Sequence, residues 1–241
     1  PRALMDIGAS LRAARACRDA LVSGKEGTPM ITANASRLST FRNVEQAISD
    51  AIISEDEIAD RASSELFSIR RKMRACNERV RERLNSMIHS PSYSKYLQDT
   101  IITMRGDRYV LPVRQEYRSM VPGIVHDQSA TGATVFVEPM SVVEIGNELK
   151  QLVASERAEI ERILRALSAQ IAPDAAAMAD NLAILAQLDF AFAKASLARE
   201  MYAVEPKING EGRIKIVRGR HPLIDPQKVV PLDIRLGDDF I

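Results

Sequence analysis

A chain of 241 residues with 33 Lys and Arg against 32 Asp and Glu carries a formal net charge of +1. That balance excludes a polybasic, histone-like protein, and a hydrophobic share of 46% is too high for a disordered one. Aromatic residues make up only 5%, without Trp, so the core is expected from Leu, Ile, Ala and Met, which favours helices over a sandwich or barrel. Cys17 and Cys76 give no metal spacing and no disulfide framework, which points to a reducing, cytoplasmic setting. No uninterrupted apolar run reaches the ~18 residues that cross a bilayer. The opening Pro1-Arg2-Ala3-Leu4 has no signal-peptide pattern, and the chain reads as a piece of something longer.

Residues 3–23 predict a helix, with Leu4, Ile7, Leu11, Ala14 and Leu21 on one stripe and Gly24, Gly27 and Pro29 ending it. A second helix is expected over 31–49. The acidic stretch Glu55-Asp56-Glu57 reads as a solvated turn before a helix start. From an N-cap at Ser63, the residues Leu66, Ile69, Met73, Cys76, Val80, Leu84 and Met87 step by three and four, the mark of a coiled-coil seam. Ser90-Pro91 stops it. Helical periodicity then vanishes. Residues 100–105, 108–113, 123–129 and 134–138 alternate as four strands of a small antiparallel sheet, with turns at Gly106-Asp107, Pro122-Gly123 and Ala130-Thr131-Gly132. Pro112 suggests an edge position or a bulge.

A second long seam follows Pro139: Ile145, Leu149, Leu152, Glu156, Ile160, Ile163, Leu167 and Ile171. Two such helices flanking a β unit can pair antiparallel and carry it at their tip. A third, Ala-rich helix over 174–202 is expected to be buried against the first two helices. Strand signals return at 213–217 and 229–234, in a tail with too few apolar residues for its own core.

Three stretches carry a family resemblance. Arg108-Tyr109-Val110-Leu111-Pro112-Val113, Pro122-Gly123-Ile124-Val125-His126-Asp127-Gln128-Ser129 and Gly132-Ala133-Thr134-Val135-Phe136-Val137-Glu138-Pro139 resemble the clamp segment of the second bacterial MutS-like family. Asp60-Arg61-Ala62-Ser63-Ser64-Glu65-Leu66 resembles that family's entry into its lever helix, and Gly219-Arg220-His221-Pro222-Leu223 the strand opening the superfamily's ATPase domain. The resemblance implies a mainly α fold with a small antiparallel β insertion. A helical core and first lever arm would occupy 1–98, a roughly four-stranded clamp 99–140, a return arm and core helix 141–205, and the truncated start of an α/β ATPase domain 206–241. No G-x-x-x-x-G-K-[ST] loop occurs, so no enzymatic activity and no cofactor are expected of this chain. For the intact parent the resemblance implies ATP and Mg, ATPase and endonuclease activities, and a homodimer. Its implied targets are branched or mismatched DNA and collided ribosomes, in recombination suppression or ribosome rescue.

The candidate contacts follow from charge. Between Arg61 and Ser90 eight cations, Arg70, Arg71, Lys72 and Arg74 among them, stand against three carboxylates. Phosphate contact and a solvated, Glu–Arg-paired helix face both fit that excess. The β segment adds Arg105, Arg108, Arg114 and Arg118, and Ser129 and Thr131 could reach phosphate or close their own turn. His126 and Asp127, as strand neighbours, should point to opposite faces and form no dyad. By resemblance His221, Pro222, Val230 and Pro231 border the nucleotide pocket of the parent. A structural coiled-coil arm with a β-tip hinge for dimerisation is the competing reading. An acid–base or metal site finds no support in His89, His126 and His221, which lie far apart.

Overall fold

A computed structural model describes residues 1–23 and 28–237; Gly24, Gly27 and the end of the final segment lie outside them. The chain divides into two compact units, Pro1–Cys17 with Ser39–Ala179, and Arg18–Leu38 with Asp180–Ile241.

In the first unit the organising feature is a pair of long helices, α4 (Ser64–Ile88) and α6 (Met140–Ile171). The polar links across them run in reverse order: Ser63 to Glu159, Arg79 to Glu148 and Ser141 to Met87. The pair is therefore antiparallel. Its seam follows the predicted periodicity in most positions: Leu66, Ile69, Cys76, Val80 and Leu84 are buried on α4, whereas Met73 and Met87 are half-buried and Ile88, not Met87, closes the seam. Ser63 caps α4 by accepting from the Leu66 N–H at 2.9 Å, which satisfies an orphan donor of the first turn. Two apolar clusters lie along the unit. Near the base, Leu4 of α1 (Arg2–Val22) and Ile48 of α3 (Arg42–Ala51) join Leu66, Ile163 and Leu167. At the other end Val80 and Leu84 join Leu111, Val113, Val137 and Val142.

That second cluster seats a four-stranded antiparallel sheet inserted between the helices, in the order β1 (Thr103–Arg105), β2 (Arg108–Arg114), β4 (Thr134–Pro139), β3 (Gly123–Gln128). The first strand is shorter than the predicted 100–105. Pro112 lies on an internal strand, not on the edge that its missing N–H suggested. The reason is local register. Ladder pairing of β2 with β1 ends at Val110, and the Pro112 carbonyl accepts from the Gln98 N–H at 2.9 Å. A residue's N–H and C=O point to the same side of a strand, so the absent donor falls where the β1 ladder has already stopped. A bulge between Val125 and Asp127 leaves His126 as the extra residue of β3.

Three further expectations are corrected. The helix expected over 31–49 is two: α2 (Pro29–Ser36) and α3, separated where Arg37 and Leu38 close α2 through bonds to Asn34 and Ala35 and Leu38 is buried. The Ala-rich helix α7 (Ala175–Glu200) is not generally buried: it covers Asn181, Ile184 and Leu188 but exposes Leu182, Phe190, Phe192 and Leu197. Only its first half has cover: no residue of α7 beyond Leu188 is buried, so Phe192 is exposed although it shares a face with Asn181 and Leu188. No uninterrupted run is apolar, yet the helical run Met140–Glu200 contains an 18-residue window of mean hydropathy 1.2, which by length and composition could cross a membrane.

The second unit also holds a two-stranded ribbon of β5 (Ile214–Gly219) and β6 (Leu232–Leu236). Val229-Val230-Pro231, expected to be strand, precedes β6 rather than joining it. The ribbon's side chains are exposed almost throughout.

Candidate nucleic-acid interface

The eight cations around α4 do not form one stripe. Arg70 is consumed by the fold: it reaches Asp60 at 2.7 Å, Glu156 at 2.6 Å and the Ile58 carbonyl at 2.7 Å, tying α4 to α6 and to the loop before α4. Arg74 shares Asp60 at 3.4 Å, and these two guanidiniums hold the Asp60 carboxyl below the usual carboxylate range, Arg70 more strongly. Arg61 pairs with Asp50 and Arg79 with Glu148. Arg71, Lys72, Arg81 and Arg83 are exposed and make no ion pair among the described residues.

The sheet sorts its cations the same way. Arg105 pairs with Asp127 at 2.9 Å and lies over the Phe136 ring at 3.8 Å. Arg108 binds Glu138 at 3.1 Å and the Asn147 side-chain oxygen at 2.7 Å. Arg118 donates to the Val121 and Gly123 carbonyls. Arg114 alone of the four is exposed without a partner among the described residues. Ser129 accepts from the Thr134 N–H at 3.1 Å and faces Thr131 at 3.4 Å, so both hydroxyls close the hairpin.

One assembly was not legible in the sequence. Glu138 on β4 is 2% exposed and receives Arg108 from β2 and the His126 ring nitrogen from β3 at 2.7 Å. Gly146 of α6 makes room for it, since a Cβ there would lie 2.7 Å from both Arg108 and Glu138. His126 therefore serves a buried carboxylate and not Asp127, which instead takes Arg105. The signal was present but scattered: a carboxylate at the end of an apolar strand demands partners that only strand register brings together.

The β1–β2 turn folds back along the helices. Tyr109 donates to Asn77 of α4 at 2.9 Å while Arg108 reaches Asn147 of α6. Arg105 and Arg108 thus face a cleft of about 520 Å³ shared with Gly106, Asp107, His126, Asp127 and Lys150. Arg114, Ser129 and Thr131 sit at the opposite, distal end of the sheet, where Arg114 pairs in register with Thr134. In the second unit His221 lies in a turn beyond β5, not on a strand. Its Nδ1 accepts from the Leu223 N–H at 3.2 Å, and Pro222, Val230 and Pro231 are exposed. Among the described residues no three His, Cys, Asp or Glu gather as a metal site.

No family model matches the chain. Curated relatives do, along all or most of it. It is 48% identical over 243 residues to a Clostridium acetobutylicum protein named Endonuclease MutS2, and 49% to its Clostridioides difficile counterpart, covering the whole chain in each case. A Clostridium botulinum protein of the same name is 50% identical across 84% of the chain. These relatives place the chain among the MutS-like proteins. Within that class it belongs to the MutS2 family, and it spans 30% and 31% of the length of the first two relatives.

Proposed function

We propose that this chain is the lever and clamp of a MutS-like ATPase and grips phosphate-rich targets, branched or mismatched DNA or collided ribosomes. The antiparallel α4–α6 pair carrying an inserted sheet supports that reading best: two arms cross-linked by Arg70 and Arg79 transmit position to the sheet at their end. Exposed Arg71, Lys72, Arg81, Arg83 and Arg114 offer sequence-independent attraction to phosphate, which weakens with salt as counterions are no longer released to advantage. In the intact parent, ATP and Mg drive closure, the partner is a second copy, and the relatives' name assigns an endonuclease. The nucleotide edge is then His221, Pro222, Val230 and Pro231.

The competing hinge reading needs a dimerising sheet edge, either β1, only three residues long, or β3. The β3 bulge and the charged Asp127 are devices that blunt edge pairing. The test is anisotropy with a labelled four-way DNA junction and a linear duplex across a salt series, followed by competition with ribosomes. Junction binding that falls steeply with salt is expected. Absence of binding to both junction and ribosome at low salt would remove the proposal.

A further inference from the structure

The two long helices present two different sides to solvent, and their charges are arranged unequally. On α4, Asn77 and Arg79 stand on opposite sides of the buried Cys76 and Val80, since residues two apart on a helix do not share a face. Asn77 carries Tyr109 and so marks the side covered by the β1–β2 turn. Arg79 pairs with Glu148 and marks the other side. On α6, Lys150 lines the turn-side cleft with Arg105 and Arg108, whereas Glu148 faces Arg79.

Each side can then be followed by heptad spacing, because residues seven apart drift by only about 20°. The side opposite the turn holds Lys72, Arg79 and Arg83 of α4. It also holds Glu82 of α4 and Glu144 of α6, lining one groove with Arg79 and Arg83, and Glu148. Cations and carboxylates there balance. On the turn side several carboxylates are already taken: Asp60 by Arg70 and Arg74, Glu138 by Arg108, and Asp127 by Arg105. Arg81 lies there, four residues beyond Asn77 and seven beyond Arg74. Arg157 lies there too, seven beyond Lys150 and about 10 Å further along α6. Arg81, Lys150 and Arg157 make no ion pair among the described residues; the carboxylates left near them are Asp107 of the turn and Glu78, three residues before Arg81, while Glu161, four beyond Arg157, is held by Arg165.

We infer that nucleic acid binds across the turn side of both helices, with Lys150 and Arg157 of α6 contacting backbone phosphates together with Arg81 of α4. This rests on the proposed function and assigns its surface to one side of both helices. The ligand chemistry is the phosphodiester backbone, which DNA and ribosomal RNA share. Two double variants of the chain decide it, each checked for helical content by circular dichroism: K150E/R157E on the turn side and K72E/R83E opposite. Labelled four-way DNA junctions and an A-form RNA duplex are the probes.

K150E/R157E is expected to weaken binding to the preferred probe by on the order of tenfold or more and to lower the log–log salt slope by about two, one per lost phosphate contact. K72E/R83E, which removes only longer-range attraction on a side whose carboxylates already offset its cations, should weaken binding several-fold less than K150E/R157E. The milder K150Q/R157Q should weaken binding in the same direction and covers any loss of folding in the reversal variant. Stronger binding to the junction identifies DNA as the source of the phosphates, and stronger binding to the duplex identifies RNA. Equal losses from the two sides, or a larger loss from K72E/R83E, would overturn the inference. Failure of the unmodified chain to bind either probe would instead overturn the proposed function beneath it.

Discussion

Glu159 of α6 shows how a single side chain fixes the helix pair. Its carboxylate is nearly buried, gripped by Arg162 at 2.7 Å on both oxygens and by the Ser63 hydroxyl at 2.6 Å. These bonds, that of Arg162 first, lower its pKa from 4.5 to about 2. A carboxyl with a depressed folded-state pKa stabilises the fold above its unfolded value and loses that contribution as pH falls through the folded one. Melting temperature should therefore drop between pH 4.5 and about 2. Glu159→Gln should melt lower at neutral pH and show a flatter profile in that window. An unchanged profile would refute the role. Neither Ser63 nor Glu159 signals this bond in the sequence, for they are 96 positions apart. Burial raises the Cys76 thiol pKa, with Glu148 adding to the shift, which agrees with its place in the seam.

At the scale of elements, helix periodicity was the readable signal. Leu66, Ile69, Cys76, Val80 and Leu84 recur on one face because burial and a 3.6-residue turn are the only requirements. Leu84 is fully buried between the helices and the sheet. Leu84→Ala should destabilise the chain by about 3 kcal/mol, the cost of lost transfer energy plus a cavity. Exposed Arg71→Ala should cost less than about 0.5 kcal/mol. Urea titrations compare the two, and equal midpoints would show that the seam does not hold the pair. What periodicity could not reveal was the break between α2 and α3, since Ile31, Leu38 and Ile48 suit either one helix or two. Nor could it place Pro112, whose tolerance depends on where the β1 ladder stops.

Across the whole molecule, the four-stranded sheet is anchored on Val80, Leu84 and Val142, while the β5–β6 ribbon has no buried side chain among its strand residues. A two-stranded ribbon without an apolar cover is marginal in water. Amides of Ile214–Gly219 and Leu232–Leu236 should exchange with deuterium far faster than those of Val110–Val113, as followed by mass spectrometry over seconds to hours. Equal protection would mean that the ribbon is stabilised by something other than its own packing. The sequence by itself determined most of the first seam and the base end of the second, the β insertion between them, the cap at Ser63 and the family, because each is written in local spacing or contiguous residues. Only the tertiary structure decided which cations are spent on Asp60, Glu138, Glu156 and Asp127 and which remain for a partner. Ion pairing depends on distances of a few ångströms between side chains far apart in the chain, and no local pattern encodes those.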